Sequence, residues 1–179
     1  MPKLIRYPKG QAVSVLDDEW QVLAIDATEP GLEGKILIPF RLWLSHASDL
    51  AYQEKALAGH LGVWFESDAD ILAHREIILA GLKLWPLVAI DFPIFRDGRG
   101  FSTAALLRER FGWKGELRAI GDVLVDQLLQ LAKVGFDGFV LRADQQLETA
   151  LRQFDLFEHR LQNDWRAQRS QLTNLGTSV

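Results

Sequence analysis

Four short apolar runs, GVWFE (62–66), LVAIDF (87–92), ELRAI (116–120) and FDGFVL (136–141), each give way to a stretch with helical spacing. This alternation constrains the fold more than any other feature. Strands that alternate with helices pair in parallel through right-handed crossovers. Runs with little polar alternation imply a sheet covered on both faces. Two earlier segments, WQVLAI (20–25) and KILIPF (35–40), also read as strands, joined by the Pro- and Gly-bearing DATEPGLEG. The expected fold class is α/β: an open parallel sheet of about five strands with flanking helices and an N-terminal β segment. At 179 residues the chain is short of the ~250 that a closed eight-stranded barrel needs. It suits one α/β domain, residues 1–165, and a polar C-terminal tail, 166–179.

Helix punctuation follows the same grammar. Residues 41–58 predict helix with a break near Ser48-Asp49, Asp49 being the N-cap of the second piece. Ser67-Asp68 predict a cap for Ile71, Leu72, Ile78 and Leu79. Ser102 or Thr103 predicts a cap for a helix bearing Ala104, Leu107 and Phe111 and stopped by Gly112. Gly121-Asp122 open a helix with Leu124, Leu128, Leu131 and Ala132, closed by Gly135. Asp144 caps a last one with Leu147, Leu151, Phe154 and Leu161.

Composition removes several function classes. The formal charge of −4 argues against non-specific nucleic-acid binding, which needs a basic surface. With no cysteine, the chain has no disulfide, no thiol nucleophile and no thiolate-held iron–sulfur cluster. His46, His60, His74 and His159 lack metal-ligand spacing, so no metal site is expected. MPKLIRYPKG lacks the apolar core of a secretory signal, and no apolar run reaches the ~18 residues of a membrane span. The expectation is a soluble, cytoplasmic protein without a membrane partner.

Ligands of parallel sheets sit outside the carboxyl ends of the strands. The most charged such end here is DFPIFRDGRGFS, residues 91–102. Arg96 and Arg99, with Asp97, Gly98, Gly100 and Ser102, precede or open a helix, whose N-terminus favours an anion. Arg142 and Asp144 belong to the same edge. A small oxyanion, phosphate group or carboxylate is the natural guest, and Gly98 or Gly100 is expected at positive φ. Asp91 and Asp122 are candidates for an acid–base pair across adjacent strand ends. The plainer alternative is equally open: ion pairs that pin a loop, an Asp97-Gly98 turn, and N-caps at Asp122 and Asp144. RDGRG has neither the Walker ending nor the dinucleotide spacing, so the cofactor is unknown. Trp43 and Trp165 are the tryptophans expected to be exposed. Arg108-Glu109-Arg110 and the Arg166/Arg169 group read as solvated helix faces.

Three blocks in order, DGRGFS, GELRAIGDVLVDQ and GFDGFVLR, with LGVWFES and LIPF ahead of them, resemble the bacterial domain-of-unknown-function family 934. The matching positions are Asp97, Gly98, Arg99, Gly100 and Ser102, then Glu116, Arg118, Gly121, Asp122 and Gln127, then Phe136, Asp137 and Arg142. The resemblance ends after Phe154, where this chain continues as EHRLQNDWRAQRSQLTNLGTSV. It implies a setting in sulfite reduction and sulfur assimilation, where members are commonly labelled oxidoreductases. It adds Arg118 to the candidate anion-binding residues and names sulfite reductase as a candidate partner. It establishes no catalytic residue.

Overall fold

The computed structural model describes residues 2–29, 33–155 and Trp165. Every expected strand is present: β3 (Trp20–Val22), β4 (Lys35–Pro39), β5 (Leu61–Phe65), β6 (Leu87–Phe92), β7 (Glu116–Gly121) and β8 (Gly138–Val140). These six pair in parallel with their neighbours in chain order. The expectation of about five open parallel strands is corrected at the far side of β8. There β1 (Lys3–Arg6) pairs antiparallel with β8, and β2 (Ser14–Asp17) antiparallel with β1. The result is an eight-stranded mixed sheet, order β2-β1-β8-β7-β6-β5-β4-β3, curled into a half-barrel. MPKLIRY carries only two core side chains, Leu4 and Ile5, too few to announce a strand by periodicity.

Constant stepping in one direction also decides on which face of the sheet the helices lie. Right-handed crossovers that always advance the same way leave their helices on one side. The described helices are α1 (Phe40–His46), α2 (Leu50–Leu57), α3 (Arg75–Gly81), α4 (Arg99–Ala105), α5 (Leu128–Val134) and α6 (Leu147–Gln153). Their buried side chains join the main core with Ile38, Val63, Phe65, Val88, Ile90, Leu117, Ala119 and Phe139. The opposite sheet face forms a small separate cluster of strand side chains, Leu37, Trp64, Leu87, Ala89 and Ile120. Curling buries these without a helix layer, which explains why the strands read as apolar on both faces.

Asp49 caps α2 as expected, its Oδ1 accepting from the Ala51 N–H at 2.9 Å. Gly135 ends α5 with φ 114°, the left-handed conformation that a helix C-terminus favours. Other caps are reassigned. Helix α3 starts at Arg75, after a run of turns, so Ser67 and Asp68 cap nothing. Helix α4 starts at Arg99, placing Ser102 and Thr103 inside it. A 3₁₀ turn, Val125–Gln127, leads into α5, and Gln146 rather than Asp144 precedes α6. Leu161 and the tail 166–179 lie outside the described residues.

After α4 the chain widens into a π-helical turn, Leu106–Arg110, with the Phe111 N–H donating to Leu106 O. Arg108, read above as solvated, is 3% exposed. Its Nε and Nη2 donate to Gly135 O at 2.9 and 2.7 Å, and its Nη1 to the carbonyls of Trp113 and Gly115, both at 2.8 Å. Nη2 also pairs with the Asp137 carboxylate, which in turn accepts from the Leu117 N–H at 3.2 Å. One guanidinium thus ties the turn after the helix to the entries of β7 and β8. Arg108→Met keeps the bulk but strands three carbonyls and takes the cation from Asp137. Loss of one partner of a buried pair costs about 3–5 kcal/mol, so urea unfolding of this variant is expected to show a fall of that size.

Candidate functional site

At the carboxyl ends of the strands, residues 93–98 leave β6 and run to α4. Two sets of polar contacts clamp this loop, one at Asp97 beside α4 and one at the Phe95 backbone. On one side Ser67 Oγ donates to Asp97 Oδ2 at 2.7 Å. Arg99 Nε and Nη2 donate to the same carboxylate at 2.9 and 2.7 Å, and Arg99 Nη1 reaches Asp68 at 3.1 Å. The Arg99 N–H also donates to Asp97 Oδ1, so Asp97 serves the start of α4. Hydrogen bonds from Arg99, then from Ser67, hold the Asp97 carboxyl well below the usual range.

On the other side Asp122 Oδ2 accepts from the Phe95 N–H at 2.8 Å, and Gln127 Nε2 donates to Phe95 O. Asp122 Oδ1 accepts from Arg142 Nη1 at 2.7 Å, and Arg142 reaches Asp144 with Nε and Nη2 at 2.6 and 2.8 Å. The Arg142 hydrogen bond lowers Asp122, and the same guanidinium brings Asp144 down to about 2. Arg99 and Arg142 therefore each carry two carboxylates. Around the clamped Phe95 backbone the side chains are exposed: Ile94 at 37%, Phe95 at 43%, and Arg96, which has no hydrogen bond or ion pair among the described residues.

Asp91 stands apart from both clamps. It lies on the helix-free face of β6, on the side of Ala89, opposite Ile120 of β7. Gly121 keeps its carboxylate in place. That residue has φ 89°, and a Cβ there would lie 2.4 Å from Asp91 Oδ1 and 2.6 Å from Phe92 O. Burial first, and the negative charge of Glu66 second, push the Asp91 carboxyl up. Asp91 and Asp122 thus follow adjacent strands yet are shifted in opposite directions. The charged groups of this edge include Glu66, Asp68, Asp70, Asp91, Asp97, Asp122 and Asp144, with Arg41, Arg96, Arg99 and Arg142.

The remaining expectations distribute as follows. Gly98 has φ −77°, and Gly100 is absent from the positive-φ glycines. Gly100 is required for another reason: a Cβ there would lie 2.8 Å from the Phe92 ring. Ser102 is exposed on α4. Arg118 is buried in the amino half of β7 on the helix-free face, where its Nη1 meets Asp18 at 2.7 Å, its Nε meets Glu116, and Trp20 lies 5.9 Å away. Trp43, expected at the surface, is 1% exposed and packs edge-on against Trp85. His46 sits against Leu42 O and stacks on Tyr52, and His74 meets the Phe40 ring. No metal-binding cluster occurs among the described residues. His159, Arg166 and Arg169 lie outside them. The described helices include none long and apolar enough to cross a membrane.

The family described as "Bacterial protein of unknown function (DUF934)" matches residues 62–172, from within β5 through β8 and both clamps of the 93–98 loop, and so extends past Phe154, the expected end of the resemblance. The chain belongs to this family. No curated protein matches it. In this DUF934 protein the matched blocks coincide with the clamps: Asp97 and Arg99 form one, and Asp122, Gln127 and Arg142 the other.

The sign of the Asp91 shift makes a test. A raised carboxyl binds its proton more tightly folded than unfolded, so its contribution to stability falls as pH rises from 3.8 through the folded value. Asp91→Asn removes that loss. The variant is expected to be more stable than the parent at neutral pH, the difference closing as pH drops below 3.8, as followed by thermal melts across pH.

Proposed function

We propose that this DUF934 protein is an accessory protein of assimilatory sulfite reduction, engaging a sulfite reductase through the loop apex Ile94-Phe95-Arg96. The observation that supports this reading is a loop held by polar contacts at Phe95 and Asp97 that leaves two apolar side chains and one carboxylate-free arginine exposed. Aromatic residues and arginine anchor protein interfaces, and a pre-ordered loop loses little entropy on docking. The clamps answer why so many charges crowd a short stretch: they hold the apex out. In this loop Arg96 has charge to spare for an anionic group, on the partner or on a bound oxyanion. The sulfur-assimilation setting comes from the family resemblance. The chain carries no cysteine to hold a cluster, and multi-electron reduction is the work of cofactors, which a reductase partner supplies.

A second reading, an independent enzyme acting on a small sulfo- or phospho-metabolite, draws on the opposed shifts of Asp91 and Asp122. Paired groups pushed apart in this way suit acid and base roles. One set of measurements separates the two. Phe95→Ala and Arg96→Glu are each expected to weaken binding to purified sulfite reductase by about tenfold or more, the loss of one anchor, with Tm unchanged. The isolated chain, given sulfite and an electron donor, is expected to form no sulfide. Undiminished binding by both variants overturns the docking, and sulfide from the chain alone favours the enzyme.

A further inference from the structure

The geometry points to an oxyanion site at the opposite end of the sheet, in a cavity at the amino ends of the strands, where Arg6, Lys9 and Lys114 receive a phosphate or sulfate group. This inference is independent of the docking apex. The cavity encloses about 410 Å³, within the range of small-molecule sites. Arg6 from the end of β1, Lys9 beyond it, Lys114 ahead of β7 and Trp165 line it, over a floor that includes Arg108 and Asp137.

The charge balance there differs from that at the carboxyl ends. Both lining carboxylates are already matched: Asp137 takes Arg108, and Glu116 lies between Arg118 and Arg6. Lys9 is held by neutral groups alone, its Nζ donating to Trp165 O at 2.9 Å and lying 5.2 Å over the Trp165 ring. Lys114 has no hydrogen bond or ion pair among the described residues. Arg6 meets Glu116 at 3.3 Å, and its side chain lines the cavity beside that carboxylate. Spare donors and uncompensated charge therefore converge on one cavity of a chain whose formal charge is −4. At the carboxyl-end edge Arg99 and Arg142 are each already engaged by two carboxylates.

The chemistry selects the ligand class. Two lysines supply point charges and Arg6 a fork, a set that suits a tetrahedral oxyanion with several acceptor atoms. The floor is built: Arg108 is desolvated and fixed by three carbonyls and Asp137, and Trp165 is held by the Lys133 carbonyl and by cations over its ring. A cavity on this built floor with two lysines in its lining is a workable seat for a phosphate- or sulfate-bearing small molecule.

Titration calorimetry of the full chain with inorganic phosphate, sulfate and acetate tests this. Saturable binding of phosphate or sulfate is expected, with acetate at least about tenfold weaker and affinity falling with added salt. Lys114→Glu, at an exposed position, is expected to abolish saturation, and Arg6→Gln to weaken it. Arg75→Glu, an equal charge reversal on α3, is expected to leave it unchanged. Thermal melting checks that each variant folds. No saturation at millimolar phosphate or sulfate overturns the site, and so does equal loss in Lys114→Glu and Arg75→Glu, or acetate binding as tightly as phosphate. Should Arg6→Gln fail to fold, Lys114→Glu alone decides.

Discussion

The buried guanidinium of Arg108 is the contact on which the back half of the fold depends. A cation in an apolar interior is expensive unless every donor is used. Here the donors reach the carbonyls of Trp113, Gly115 and Gly135 and the carboxylate of Asp137, four positions on two different connections. Those connections feed β7 and β8, so one side chain fixes the entry of two adjacent strands. Burial lowers the pKa of Arg108 and the Asp137 charge opposes that shift, which fits a cation retained for geometry. Its place follows from Ala104, Leu107 and Phe111: position 108 is four residues after the first and falls on the same buried face.

That stripe also shows where sequence reasoning succeeds and where it stops. Every parallel strand was legible, because runs such as LVAIDF have no competing helical period. The break at Asp49 and the stop at Gly135 were legible from local cap chemistry. Partners distant in the chain were not. Arg108 looked like one of three charges on a solvated face, although its i−4 and i−1 neighbours were apolar. Asp18, one hundred residues from the Arg118 it pairs with, carried no local sign at all. The antiparallel β1 escaped because its pairing with β8 depends on which sheet edge is open, a property of the assembled strands.

The two ends of the sheet divide the charge of the molecule. Around the carboxyl ends, arginines and carboxylates neutralise one another and become scaffold. The DFPIFRDGRGFS stretch was legible as charged, and its position at a strand-to-helix junction was right, but the partners of Arg99 and Arg142 lie on other connections. Asp68 belongs to the turns after β5, and Asp122 follows β7. No spacing within residues 91–102 encodes either pairing. At the amino ends, the cations come from segments around residues 6–9 and 108–114, which the sequence gives no reason to join.

A sheet that curls without closing retains two raw edges, β2 and β3. Among the described residues each lacks a strand neighbour on its outer side, and exposed edges of this kind nucleate aggregation. The molecule manages both in the same manner. The edges are four and three residues long, and each lies beside a solvent-facing ion pair, Lys3 with Asp17 and Lys35 with Glu19. An incoming strand would have to strip water from these charges while gaining only a few ladder bonds. Short, charge-flanked edges are therefore a guard against self-association, and lengthening or neutralising them would weaken it.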